Sequence, residues 1–369
     1  MVKVKTILCL IVFTSCLIII DFNSPLNADP MISYPGTRAK GMGGAFTGIA
    51  DDSSSVWYNP AGLGLTKSRY ENAFEWSQTP GRKLKRGQSD PSKKFDDGEL
   101  TNNGNNLFIS FTGIYLGFFY CSPYSMDWKF SNKEKLGTEL AQIHERIRML
   151  GLAFAFPVLK DRISLGVTIE HVKHTLGHLE YDENGKSKLD HETSKISGSF
   201  GILAVPLDLK QYGIKFKLGG VYHLKSESSN TLLGKPLSYD FGASVTKSFT
   251  SLKSSFLFSI QHGFTQYDAV NNDYNKTSFG AEWSIVPQQK LPLCISFRTG
   301  YYTSNATEKE RGWPDVNAFT AGIGLLLSDG IPGLEFAYEN RNLSYYTDEE
   351  ESVSIISLSV FFIGKGILK

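Results

Sequence analysis

The chain has 369 residues, and 38 Lys and Arg against 37 Asp and Glu give it a formal net charge of +1. This balance excludes a dedicated nucleic-acid binder, which would carry a surplus of basic residues. Aromatic residues make up 13% of the sequence and glycine is abundant, while no internal apolar run approaches the roughly 20 residues of a membrane-spanning helix. The composition therefore favours strands over membrane helices.

Residues 1–28 are typical of a secretory signal peptide. Lys3 and Lys5 give a positive start, an apolar stretch follows over residues 7–20, and Ala28 ends a plausible cleavage site. We expect export and a mature chain of about 340 residues. A retained membrane anchor and a lipoprotein site at Cys16 are the alternatives.

Residues 29–68 are small, Gly-rich and polar. The run Gly36-Thr-Arg-Ala-Lys-Gly-Met-Gly-Gly-Ala-Phe46 leads through Ala50-Asp-Asp to Trp57-Tyr-Asn-Pro-Ala-Gly-Leu63. This segment has too little apolar surface for a domain of its own, but Trp57 and the Asn-Pro turn indicate an ordered shape. We therefore predict a compact plug packed inside a larger structure.

From residue 69 to residue 363, segments of eight to twelve residues alternate between apolar and polar side chains, which is typical of transmembrane barrel strands. Over residues 163–170, the apolar side chains fall on one face, while Ser164, Gly166, Thr168 and Glu170 fall on the other. A soluble β-sandwich alternates in the same way, so periodicity alone leaves both folds open.

The connections between the predicted strands separate the two folds. We predict roughly fourteen strands. Their predicted starts lie near residues 69, 106, 115, 147, 163, 195, 214, 238, 254, 276, 291, 317, 333 and 352. Long polar loops are predicted at 77–105, 123–146, 175–194, 226–237, 264–275, 303–316 and 345–351, and they alternate with short turns. Bacterial outer-membrane barrels are built in this way, with both chain ends at the short-turn end.

The sequence therefore predicts an all-β fold, a 14-stranded antiparallel transmembrane outer-membrane β-barrel over residues 69–363. Residues 29–68 would form an N-terminal hatch inside it, and residues 364–369 a C-terminal tail. The predicted localisation is the cell outer membrane, and a barrel closed on itself is expected to be a monomer.

The order Gly41-Met-Gly-Gly-Ala-Phe46, Ala50-Asp-Asp and Tyr58-Asn-Pro-Ala-Gly-Leu63 resembles the hatch of the FadL family of outer-membrane transporters. That family includes PorV-like barrels and related spirochaete proteins. The resemblance implies a fourteen-stranded barrel and a hatch that moves when ligand binds. It also implies passive uptake of a hydrophobic small molecule, with long-chain fatty acids as the first expectation. The chain departs from many such barrels in continuing past Phe362.

Small and turn-forming residues make up the predicted gate. These are Gly41, Gly43, Gly44, Asp51, Asp52, Asn59, Pro60 and Ala61. Glycines let the backbone approach a barrel wall closely, and Pro60 presets the turn by restricting Asn59. The alternative is that all of these residues only pack the plug. A phosphate-loop interpretation of Gly41–Gly44 is excluded, because no Lys-Ser or Lys-Thr pair follows.

Inward faces of several predicted strands carry cations. The candidate ligand contacts are Lys215, Lys217, His223, Arg298 and Arg341. A cation in an apolar lumen could pair with the carboxylate of a fatty acid. Alternatively, these cations pair with lumen carboxylates, of which the sequence offers Glu170, Asp240, Glu282, Glu335 and Glu339.

No sequence pattern predicts a cofactor, a metal site or an enzyme. His171, His174 and His178 have a spacing that gathers ligands on a helix, but on a strand it alternates faces. Cys121 and Cys294 are expected as free thiols, with one bridge between them left open.

Two local predictions concern the third strand and the loop after it. Ser122-Pro123 is expected to end the strand. Residues 133–147 are expected to be either a short amphipathic helix or an ordinary loop.

The expected partners are a hydrophobic small molecule and outer-membrane lipid, with no nucleic acid. The alternative function is a PorV-like shuttle for secreted protein cargo, and a structural barrel or adhesin is a further one.

Overall fold

A computed structural model describes residues 35–65, 72–79, 104–132, 138–182, 185–226, 235–267, 272–286, 293–306, 315–326, 333–344 and 350–364. The predicted signal peptide, the first residues of the predicted hatch and the end of the predicted tail lie outside these ranges.

Fourteen antiparallel strands close into one barrel, because β1 pairs with both β2 and β14. The first seven are β1 (Asn72–Thr79), β2 (Gly104–Phe111), β3 (Leu116–Asn132), β4 (Thr138–Leu159), β5 (Ile163–Asp182), β6 (Gly185–Leu209) and β7 (Ile214–His223). The others are β8 (Leu237–Phe249), β9 (Ser254–Tyr267), β10 (Asn272–Ile285), β11 (Cys294–Ala306), β12 (Asp315–Leu326), β13 (Gly333–Ser344) and β14 (Glu350–Gly364). The predicted fold class and strand number are confirmed.

The alternation of side chains is the reason that these segments form a barrel wall. On β5, Ser164 and Glu170 are 0% and 2% exposed, whereas Leu165 and Ile169 are 43% and 54% exposed. Polar and small residues thus face the lumen, and apolar residues face outward, where a bilayer would cover them. The exposed apolar side chains Phe200, Phe241 and Phe319 continue this outward surface on β6, β8 and β12.

The region from residue 122 to residue 147 differs from the prediction. β3 continues through Pro123 to Asn132 with a register shift between Cys121 and Tyr124, so the proline marks an irregularity and not an end. β4 begins at Thr138, and its residues 141–147 pair with both β3 and β5. Pairing on two sides satisfies the backbone that a helix would have satisfied internally, so the predicted helix and loop are wrong over residues 138–147. Residues 133–137 of that prediction lie outside the described ranges.

The strands differ greatly in length. β4, β5 and β6 have 22, 20 and 25 residues, whereas β1 and β2 have eight each. At about 3.3 Å per residue, β4 to β6 exceed the roughly 30 Å of a bilayer core even when tilted. The short turns join β4 to β5 and β6 to β7 at the other end, so the excess lies at the end where long loops were predicted. Much of the loop predicted over residues 175–194 is therefore strand.

Residues 35–65 are called the inner segment. It contains three short helices, α1 (Thr37–Gly41), α2 (Ser55–Tyr58) and α3 (Gly62–Leu65). α1 contacts β11 to β14, α2 contacts β3, and α3 contacts β4 and β5. Almost every residue of the segment is buried. A segment that touches the wall on opposite sides while hidden from solvent lies within the barrel. None of the helices in the described ranges is long and apolar enough to cross a membrane.

Candidate functional site

Wall glycines make room for the backbone of the inner segment. Gly242 on β8 faces Gly48, and Gly280 on β10 faces Met42. A Cβ atom at Gly242 would lie 2.6 Å from the Gly48 nitrogen, and one at Gly280 would lie 2.6 Å from the Met42 oxygen. The other wall glycines whose Cβ would meet the inner segment this closely are Gly117, Gly166, Gly201, Gly219 and Gly300. The fit is so tight that even a methyl group has no space at these wall positions.

Two of the predicted gate glycines, Gly41 and Gly43, also lie where the inner segment packs closely against the wall. A Cβ at Gly41 would lie 3.4 Å from the Cα of Gly322, and one at Gly43 would lie 3.0 Å from the Phe279 oxygen. Gly43 and Gly44 have φ angles of 66° and 76°, a region that favours glycine. The structure thus brings Gly41 and Gly43 to the wall on β10 to β12. The matching glycines of the wall were missed, although their alternate spacing along predicted strands was visible in the sequence.

The Asn59-Pro60-Ala61 turn lies on the opposite side, against β5 and β6. The Asn59 side chain is fully buried, and its Nδ2 donates hydrogen bonds to the Thr47 oxygen at 3.1 Å and the Ile202 oxygen at 2.9 Å. Its Oδ1 accepts a hydrogen bond of 3.2 Å from the Ala61 nitrogen. One side chain therefore ties two turns of the inner segment to each other and to the wall.

Arg38 is the electrostatic centre of the inner segment. Its guanidinium donates to Asp51 at 2.6 Å, to Asp52 at 3.1 Å and to Glu282 of β10 at 2.8 Å. Burial by itself would lower the pKa of Arg38, but Asp51, Glu282 and Asp52 outweigh it and raise that pKa well above its usual value. Arg38 therefore remains charged, and it joins both predicted gate aspartates to the wall.

Asp51 is the most accessible carboxylate around Arg38. Its side chain is 26% exposed, against 7% for Asp52 and 4% for Glu282. Burial would raise the pKa of Asp51, but Arg38 and Lys217, whose Nζ lies 3.6 Å away, hold it below the usual value of 3.8. Asp51 thus lies ionised between two cations.

The predicted lumen cations are engaged with protein groups. Arg298 donates to Glu282 at 2.7 Å and to Glu335 at 2.8 Å, and Arg341 donates to Glu339 at 2.7 Å. Lys217 donates to the Ile49 oxygen of the inner segment at 2.8 Å. This arrangement favours the alternative in which the cations hold barrel and inner segment together.

The remaining two predicted cations differ in burial. His223 is buried, and its Nδ1 lies 2.7 Å from Ser199 Oγ. Lys215 is half-buried.

Sequence reasoning missed a further cation, Lys235, because it follows β7 in a predicted loop. Lys235 is buried in an ion pair with Glu170. Burial lowers the pKa of Lys235 although Glu170 opposes this.

One side of the lumen is apolar. Phe108, Phe119, Ile147, Met149 and Val172 are buried on β2 to β5 and form one cluster with Val56 and Leu63 of the inner segment, against which Trp57 packs. The rings of Trp57 and Phe119 lie edge to face at 5.5 Å between centroids. Trp57 is half-buried, so one face of its indole adds to an apolar surface on the side of the extended strands.

The histidines and cysteines carry no site of their own. His171 is exposed and His174 is buried, so the two lie on opposite faces of β5 as their spacing predicts. Within the described ranges, no group of three His, Cys, Asp or Glu side chains could hold a metal ion. Cys121 and Cys294 are both free thiols, so the bridge left open is not formed.

Several solved structures share this fold. The CymD monoaromatic hydrocarbon channel is 12% identical with a TM-score of 0.57, covering 91% of this chain and 99% of that chain. The Pseudomonas putida toluene transporter TodX is 12% identical with a TM-score of 0.54, covering 92% and 99%. A Pseudomonas aeruginosa FadL homologue is 13% identical with a TM-score of 0.53, covering 90% and 100%.

At such identities the likeness concerns the fold. It confirms, at that level, the resemblance to FadL-type barrels predicted from the Gly-rich and Asn-Pro-Ala motifs. No family model matches the sequence, and no curated protein is significantly similar to it.

Proposed function

We propose that this protein is an outer-membrane channel for the passive uptake of hydrophobic small molecules, with long-chain fatty acids as the first candidates. The observation that carries the proposal is the apolar side of the lumen, where the half-buried Trp57 of the inner segment packs on a buried cluster that contains Phe119 and Met149. A hydrophobic molecule would find there a surface hidden from water, as ligand sites of this kind require.

The structural neighbours support this proposal. CymD is a monoaromatic hydrocarbon channel and TodX a toluene transporter, and both cover almost the whole of this chain. The outward apolar surface of the barrel supports a location in the outer membrane. Export through the predicted leader over residues 1–28 is part of the same proposal.

The inner segment acts as the gate in this proposal. Its α1 end and Asn59 are tied to the wall by hydrogen bonds and ion pairs, whereas Val56 and Trp57 contact the wall through apolar surface. An apolar ligand competes for apolar contacts and not for ion pairs. We therefore expect the part around α2 to move while the remainder stays in place.

A second candidate function is supported by the long strands. β4 to β6 extend beyond the thickness of a bilayer at one end, which gives a tall surface for a protein partner. A PorV-like shuttle for secreted cargo would use such a surface. It would not need a ligand beside Trp57.

Native mass spectrometry of the exported barrel in mild detergent tests the proposal. Wild type should retain a co-purifying fatty acid or similar lipid, which is lost from a chain lacking residues 29–68. Because that deletion could disturb folding, Trp57→Ala serves as a second variant, and Trp283→Ala, on the outward face of β10, is its matched control.

We expect Trp57→Ala to reduce the bound fraction about tenfold, as for loss of a large apolar contact, and Trp283→Ala to leave it unchanged. An empty wild-type barrel that captures a defined secreted protein would overturn the uptake proposal and favour the shuttle.

A further inference from the structure

An open cavity of about 650 Å³ lies at the short-turn end of the lumen. Its wall comes from the ends of β8 to β11 that adjoin these turns, and Arg38 and Asp51 of the inner segment line it as well. The Trp57 ring points away from this end, since it lies 6.5 Å from the ring of His223, which is the last residue of β7 at the long-loop end. The volume is that of a site for one small molecule.

The lining of this cavity is amphipathic. Hydroxyl groups come from Thr246, Ser248, Thr250, Ser254, Ser255 and Ser284, and apolar surface comes from Phe249, Leu257 and Val286. Arg38 is the buried cation among the lining residues, and Lys253 is an exposed one. Such a lining suits a molecule with a short apolar part and one polar head.

Asp51 occupies the place where a ligand head group would bind. Its carboxylate lines the cavity and is held by Arg38 at 2.6 Å and Lys217 at 3.6 Å. The other two carboxylates of Arg38, on Asp52 and Glu282, are almost fully buried. Asp51 is therefore the partner of Arg38 that can exchange with a group arriving from the cavity.

The backbone before Asp51 is strained, which favours its release. Ala50 has a φ angle of 38°, in the region that favours glycine. It is kept there by close packing, since a Cβ at Gly62 would lie 2.9 Å from the Ala50 Cβ. If Asp51 turned toward the cavity, Ala50 could relax.

We propose that the cavity is a second binding site for an amphiphile with a carboxylate head, and that this carboxylate replaces that of Asp51 between Arg38 and Lys217. This inference rests on the proposed function, because the cavity would give the transported molecule a second site at the short-turn end of the lumen. Release of Asp51 would remove one of the ties on the chain leading to α2, the part that we expect to move.

Exchange, and not simple addition, follows from the local charges. Arg38, Lys217 and Arg298 face four carboxylates in this region. These are Asp51, Asp52, Glu282 and Glu335. No cation in this group is spare, so a ligand carboxylate binds between Arg38 and Lys217 only if one of the protein carboxylates leaves. A neutral head group would gain little from the same place.

Cys294 provides a reporter, because it lines the cavity and is half-exposed. In a Cys121→Ser chain purified in mild detergent, the rate at which N-ethylmaleimide modifies Cys294 would be measured by peptide mass spectrometry. Dodecanoate is the probe and dodecanol the neutral comparison. Asp51→Asn tests the exchange, and Asp208→Asn, an acid near the same end that does not line the cavity, is its matched control.

We expect dodecanoate to protect Cys294 and dodecanol to protect it at least about tenfold less well, in line with hydrogen bonds to a charged group. Asp51→Asn should lower the dodecanoate concentration for half protection about tenfold, and Asp208→Asn should leave it unchanged.

Equal protection by dodecanoate and dodecanol would overturn the carboxylate site, and so would an Asp51→Asn chain that needs as much dodecanoate as wild type or more. Absence of protection by either probe would overturn the cavity site. These outcomes are separate from failure of the proposed function, which is measured by lipid bound beside Trp57 and not by modification of Cys294.

Discussion

The two sides of the barrel wall hold the inner segment by different means. On β10 to β12, wall glycines admit its backbone, and Glu282 and Arg298 extend the ion pairs of Arg38. On β2 to β5, Phe119 and Met149 meet Val56 and Trp57 with apolar surface. Buried ion pairs are costly to break once formed, whereas an apolar contact can be replaced by an apolar ligand. One side therefore anchors the segment, and the other is the side on which it can yield.

The largest effect is expected at the anchored side, for Arg38→Met. The change leaves Asp51, Asp52 and Glu282 without their shared cation, which should cost about 3–5 kcal/mol, as for other broken buried pairs. The measurement is tryptic cleavage after Lys40 together with thermal unfolding of the purified barrel.

Lys173→Met is the matched control for Arg38→Met, because Lys173 pairs with Glu192 at an exposed position. It should change stability by less than about 1 kcal/mol. Equal stability of Arg38→Met and wild type would contradict the anchoring role of Arg38.

The next largest effect is expected when one methyl group is added to a wall glycine that packs against the inner segment, which we call the glycine contact. In Gly242→Ala the new Cβ would lie 2.6 Å from the Gly48 nitrogen, so the inner segment has to shift. We expect a loss of about 1–3 kcal/mol and faster cleavage after Lys40. Gly220→Ala on neighbouring β7 is the control, since the nearest atom to its new Cβ is 3.4 Å away. The glycine contact is disproved if both variants behave alike.

Asn59→Ala should lower stability by as much as Gly242→Ala or less. It removes the two hydrogen bonds to the Thr47 and Ile202 oxygens and leaves the buried Thr47 oxygen without this donor, at a cost of about 1–3 kcal/mol. Thermal unfolding measures the loss. Asn59→Asp is the informative comparison, because its carboxylate still accepts from Ala61 but cannot donate, and it should be no more stable than Asn59→Ala.

The smallest effect is the loss of stability that acid should cause by protonating Asp51. Because the pKa of Asp51 is held below 3.8 in the folded protein, its ion pairs stabilise the inner segment above that pH and cease to do so as the pH falls through the lowered value. Thermal unfolding compared at about pH 5 and about pH 3 should show a smaller acid loss in Asp51→Asn than in wild type. An equal loss in both would exclude Asp51 as a source of this dependence.

Local alternation together with the alternating long and short connections was sufficient to predict the barrel. The faces of β5 follow directly from residues 163–170, and the number of strands follows from counting such segments. The Gly-rich run and the Asn-Pro turn predicted a plug over residues 29–68, because such residues suit close packing more than an independent core.

The site depended on contacts between distant parts of the chain. Arg38 and Glu282 are 244 positions apart, and no local pattern indicates that they meet. The cations on β7, β11 and β13 were recognised as inward, but their partners depended on the register of neighbouring strands. The start of β4 was missed because the spacing of Ile143 and Ile147 also fits a helix, and only pairing with β3 and β5 decides between the two.

The central claim, that α2 moves to admit ligand, is tested most directly by locking it to β3. A Cβ at Gly117 would touch Cγ1 of Val56, so Val56→Cys with Gly117→Cys, in a chain without Cys121 and Cys294, should form a disulfide. Uptake of labelled hexadecanoate into proteoliposomes should be lost in the oxidised form and restored by reductant, while the Val56→Cys single variant responds to neither. Uptake at the same rate in the oxidised and reduced forms would contradict the account.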